Sequence, residues 1–80
     1  MVNEVTINYN VQSEGTVTIA VYNIAGELIK TLTNEYKNAG EHTVKWYAND
    51  ANNNEVAEGI YFICLTSKDF TKTSKITLIR

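Results

Sequence analysis

The apolar residues of this chain recur at every second position, and that period decides what it can fold into. Val5, Ile7, Tyr9 and Val11 alternate with Thr6, Asn8 and Asn10, the pattern of a strand with one buried face. Val17, Ile19 and Val21 repeat it against Thr16, Thr18 and Ala20, with β-branched residues on both sides. His42, Val44 and Trp46 share a face opposite Thr43 and Lys45, and Ile76 and Leu78 alternate near the end. Turn signals separate the runs: Ser13-Glu14-Gly15, Asn23 to Gly26, Asn34 to Gly40, the Asn-rich stretch Ala48 to Glu55, and Ser67-Lys68-Asp69. One segment, Gly26 to Asn38, places Leu28, Ile29 and Leu32 at helical spacing. Thr31 and Thr33 interrupt it and no cap precedes it, so strand is the better reading from Glu27 to Thr33. Six strands and a short extra one around Val56 predict an all-β fold, an antiparallel sandwich of about seven strands. The expected inward set is Val17, Ile19, Val21, Ile29, Leu32, Val44, Trp46, Tyr61, Ile63, Leu65, Ile76 and Leu78, since a one-residue slip would expose every member.

Eighty residues make one domain, 1–80, and 44% hydrophobic content is enough to give it a core. Seven basic against nine acidic residues argue against a nucleic-acid partner, whose binding rests on neutralised phosphates. The single Cys64 makes no internal disulfide, and no apolar run is long enough to span a membrane as a helix. The opening MVNEV lacks the basic start and apolar stretch of a signal peptide. If the protein is exported, its signal is expected upstream.

Little in the chain points to chemistry. His42 is the only histidine and shares its alternation with Val44 and Trp46, which reads as a structural side chain at the core margin. Cys64 lies between Ile63 and Leu65 and reads as a small buried hydrophobe. With one His and one Cys, a closed zinc site would need two carboxylates as well. No catalysis and no cofactor are expected. Asp50, Asn52 and Asn54 alternate like calcium-loop ligands and are the weak calcium candidates. The glycine and glutamate an EF-hand needs at positions six and twelve are replaced by Glu55 and Tyr61, so the loop reads first as an Asn-rich hairpin connection. Tyr22, Tyr36 and Tyr47 would suit sugars only if they gathered on one face, which nothing in their spacing requires.

The order of residues is more specific than their chemistry. Val17 to Leu32 is followed by Ala39-Gly40-Glu41-His42-Thr43-Val44-Lys45-Trp46, then Asp50, Val56-Ala57-Glu58-Gly59-Ile60-Tyr61-Phe62 and the closing Lys75 to Arg80. Together they resemble the FlgD-type immunoglobulin-like domain and its relative, the C-terminal sorting domain of type IX secretion cargo. The resemblance covers nearly the whole chain, and its most specific pieces are the Ala-Gly-x-His-x-Val-x-Trp and Gly-Ile-Tyr-Phe strands. It departs where the family often has glycine, just after the Trp and in the following loop; here stand Ala48 and Asn53. The resemblance implies an immunoglobulin-like sandwich without catalysis, secreted or held at a bacterial cell surface. The apolar last strand favours the sorting branch: a C-terminal module of a larger secreted protein, recognised by outer-membrane export machinery. Lys72, Lys75 and Arg80 are then the recognition candidates, and the partners are that machinery or neighbouring domains of the parent protein. The alternatives it leaves are an accessory module of a secreted hydrolase or adhesin, and a flagellar hook-capping domain.

Overall fold

The computed structural model describes residues 4–68 and 70–79. Six strands run in the order β1 (Val5–Val11), β2 (Gly15–Asn23), β3 (Leu28–Lys37), β4 (Gly40–Trp46), β5 (Gly59–Thr66) and β6 (Thr71–Leu78). They form a two-stranded sheet, β1–β4, and a four-stranded sheet in the order β3–β2–β5–β6, with every pairing antiparallel. This is the all-β antiparallel sandwich the alternation predicts, in the immunoglobulin-like form the resemblance implies, with six strands among the described residues. The extra strand expected near Val56 is reduced to an isolated bridge between Asn49 and Glu55.

The inner faces meet over Trp46, fully buried, whose ring packs edge-on against Tyr61 of the opposite sheet with centroids 5.3 Å apart. Val17, Ile19, Val21, Ile63, Leu65 and Leu78 complete the buried set, while Ile29, Leu32, Val44 and Ile76 pack half-buried against it. All twelve expected core residues therefore turn inward. Val11, Ala20 and Ala48 are buried as well and were not in that set.

The helix-like spacing of β3 has a local cause. Its register against β2 shifts twice, and the residues left without a directly opposed partner are Ile29 and Leu32. Each shift adds a residue to β3, as a β-bulge does. Two positions three apart, which a regular strand would turn to opposite faces, thus both reach the core. β3 also runs further than expected: Asn34, Glu35, Tyr36 and Lys37 pair with Thr18, Val17, Thr16 and Gly15 instead of forming a loop. Ladder hydrogen bonds need no apolar side chains, and an edge strand tolerates a polar end.

The β2–β3 turn is held by Asn23. Its Oδ1 accepts from the amides of Ala25 (3.0 Å) and Glu27 (2.9 Å), and its Nδ2 donates to Glu27 Oε1 (2.9 Å). Gly26 takes φ +85° inside that turn, a left-handed conformation that costs a glycine nothing.

Candidate functional site

Three surfaces carry most of the residues singled out by the sequence: the Asn-rich connection after β4, the last strand, and the margin around His42. The connection is a built structure. Trp46 Nε1 donates to the Asn49 carbonyl (2.8 Å), which ties the loop to the centre of the core. Lys30 Nζ donates to Asn49 Oδ1 (3.0 Å), and the Ala51 amide to the Ile29 carbonyl (3.1 Å), which ties it to β3. Within it, Asp50 Oδ1 accepts from the amides of Asn52 and Asn54, each at 2.9 Å. Asn49 Nδ2 donates to Asn53 Oδ1 at 2.6 Å.

Of the calcium candidates, then, Asp50 caps the turn, and Asn52 and Asn54 face it through backbone N–H groups. Donors converging on one carboxylate oxygen are what an Asx-type turn needs. Among the described residues no group of three or more His, Cys, Asp or Glu side chains is placed to hold a metal. The same connection explains the two departures from the family's glycines. Ala48 (φ +57°) and Asn53 (φ +66°) are the described non-glycine residues with positive φ. Asn visits this region readily, but alanine does so at a cost. Ala48 is nevertheless fully buried, and its carbonyl accepts from Val56 N–H at 3.1 Å.

Of the recognition candidates, Lys72 and Lys75 lie on opposite faces of the sheet. Lys72 is opposite Leu65 in the β5–β6 register and so lies on the inner face of the sheet. Lys75 is opposite Phe62 and lies on the outer face. Both are exposed, and Arg80 lies outside the described residues.

His42 is half-buried. Its ring stacks on Tyr9 with centroids 5.5 Å apart, and its Nε2 donates to the Asn38 carbonyl at 2.7 Å. These contacts fix the end of the small sheet, the structural role the alternation predicts. Cys64 is placed differently from expectation. It is half-buried on the outer face of β5, with Sγ 3.9 Å from Thr66 Oγ1. The reason is parity: once Tyr61, Ile63 and Leu65 face the core, Cys64 must face out. The tyrosines stay apart as well. Tyr36 and Tyr22 share the outer face but lie at registers Thr16 and Tyr22 of β2, about 20 Å apart along the strand. Tyr47 is exposed in the connection after β4.

Charge on this surface acts locally. Lys37 Nζ lies 2.6 Å from Glu35 Oε1, and that contact holds the Glu35 carboxyl below its ordinary range and Lys37 above its own. A hydrogen bond to Glu14 raises the Tyr36 hydroxyl. No helix of the described residues is long and apolar enough to cross a membrane.

One more contact marks the architecture. The Tyr61 hydroxyl donates four residues back, to the Ala57 carbonyl, at 2.6 Å. This is the tyrosine-corner arrangement of immunoglobulin-like sandwiches. Corner, buried tryptophan and unequal sheets define the class: an immunoglobulin-like β-sandwich module. Within that class, the model of the FlgD Ig-like domain matches residues 2–69, and the chain belongs to that family. Among solved structures it is similar to FlgD from P. aeruginosa, at 23% identity and a TM-score of 0.72 over 94% of this chain. It is also similar to FlgD from Xanthomonas campestris, solved for insight into the hook capping essential for flagellar assembly, at 29% identity and a TM-score of 0.73 over 94% of this chain. The chain spans 60% and 55% of the lengths of those two. No curated protein matches it.

Proposed function

We propose that this chain is the immunoglobulin-like module of a flagellar hook-capping protein, non-catalytic and working through its surfaces in an assembly outside the cell. The observation that carries the reading is the likeness to Xanthomonas campestris FlgD over 94% of this chain, in a structure concerned with hook capping. The family match over residues 2–69 supports it. These comparisons favour the hook-capping reading over the type IX sorting reading that the last strand suggests by sequence. The non-catalytic part rests on the separate placement of His42 and Cys64 and on the turn-capping use of Asp50.

Grafting tests it. Residues 1–80 replace the matching portion of FlgD in a Xanthomonas strain lacking its own, and hooks are counted by electron microscopy. Hooks of normal length support the reading, provided a graft of an unrelated immunoglobulin-like sandwich gives none. A second arm fuses residues 1–80 to the C-terminus of a reporter in a host with type IX secretion. Reporter in the medium, without rescued hooks, overturns hook capping in favour of sorting.

A further inference from the structure

A groove of about 320 Å³ opens along one side of the sandwich, and its walls are unlike each other. One wall is β1 from Val5 to Asn10, six consecutive residues that all contribute to the lining. A strand lines a groove with every residue only when the groove follows its backbone edge. Among the described residues β1 pairs with β4 alone, on its other side, which leaves this edge without a strand. The floor is the inner face of β5 and β6, where Ile63 and Leu65 are buried and Ile76 is half-buried. Further along the same inner face of β6 come Ser74 and Lys72, opposite Ile63 and Leu65 in register and both exposed. The four-stranded sheet therefore extends past the two-stranded sheet that should cover it. Among the described residues no third strand lies beside β1 to complete that cover.

We propose that this groove takes an extended segment of a partner protein, paired along β1, with alternate apolar side chains laid on Ile63, Leu65 and Ile76 and a carboxylate set against Lys72. Three observations select that occupant. The free β1 edge offers backbone donors and acceptors, which only an extended peptide can match along its length. Val5 to Asn10 accommodates a segment of roughly six residues. Lys72 is the one charged side chain among the described lining residues, so the complementary partner is acidic at that end. The proposal does not depend on hook capping, since any module with this edge would take such a segment.

The test titrates the ¹⁵N-labelled domain with two synthetic peptides of alternating Val and Thr, flanked by Gly-Ser for solubility. One carries Glu and the other Lys at the end that meets Lys72. The expected result is that the Glu peptide shifts the β1 amides and binds roughly tenfold tighter than the Lys peptide. In Lys72→Glu that preference should reverse. A Glu peptide N-methylated along the edge facing β1 should not bind, which separates ladder pairing from loose apolar adsorption. Shifts confined to other strands, no binding by either peptide, or a preference unchanged in Lys72→Glu would each overturn the proposal. So would a sedimentation experiment showing a dimer whose β1 amides are already protected from exchange, because a second copy would then fill the groove.

Discussion

Replacing Ala48 by glycine deletes a methyl group that is fully buried, yet it should cost the domain almost nothing. Losing a buried methyl costs about 0.8 kcal/mol. Freeing the unfolded chain at a new glycine costs a further ~0.5–1 kcal/mol. Against these stands the left-handed conformation, φ +57°, which costs an L-residue about 1–2 kcal/mol and a glycine nothing. The three terms nearly cancel. Ala20→Gly is the matched control: Ala20 is 5% exposed, lies mid-strand in β2, and has no positive φ. There the first two terms act alone, for a loss of about 1.5 kcal/mol. Urea denaturation of the wild type and both variants measures the comparison, provided the slopes agree. The stability difference between the variants isolates the backbone strain, about 1–2 kcal/mol, or roughly 4–8 °C in Tm per kcal/mol at this size. Equal losses for the two would refute the reasoning, because Ala48 would then carry no strain for glycine to relieve.

Other outcomes follow from the same contacts. Leu78→Ala should cost about 2–5 kcal/mol, since Leu78 is 2% exposed, and half-buried Ile76→Ala clearly less; Lys75→Ala should stay under ~1 kcal/mol, all read from denaturant midpoints. Tyr61→Phe removes the bond to the Ala57 carbonyl and should cost about 1 kcal/mol by the same assay. Thermal melts in EDTA and in added calcium should superimpose, because Asp50 Oδ1 is already occupied by two amides; a shift of many degrees would establish the loop as a metal site. Glu35 is depressed by Lys37, so its contribution is present above the ordinary carboxylate range and is lost as pH falls through the depressed value. Any advantage of the wild type over Glu35→Gln should therefore shrink in acid, and both partners are exposed enough that it is small.

The core was legible because period two is a geometric property of strands, and it placed twelve residues on the correct face. Where that period was locally broken, the sequence looked helical. Ile29 and Leu32 share a face only because β3 gains residues at its register shifts, and a bulge has no residue signature at those positions. The polar end of β3 has the residues of a loop for a related reason. Strand character there comes from pairing with Gly15 to Thr18, a long-range fact that Asn34 to Lys37 do not carry themselves. Cys64 could have been placed outward by applying the chosen phase of β5 one residue further. Ala48 and Asn53 stood out as replaced glycines, and the structure gives the reason: both bend the chain into the left-handed region that glycine adopts freely.

The last strand shows how one segment divides its work between its two faces. From Thr71 to Lys75 every β6 residue is exposed, and only Ile76 and Leu78 reach the core. That half of the strand is held by its ladder to β5 and by no burial of its own. Its lysines, three positions apart, must then point to opposite sides of the sheet. Lys75 projects outward beside Phe62, where a charge keeps an edge strand from adding to another sheet. Lys72 projects over the uncovered inner face, where a charge would be expelled if the small sheet extended that far. The two inner-face positions of this half, Lys72 and Ser74, are both polar and exposed, as suits a stretch of sheet that the small sheet does not cover. The polarity of Lys72 and Ser74 thus matches the groove that they line beside β1.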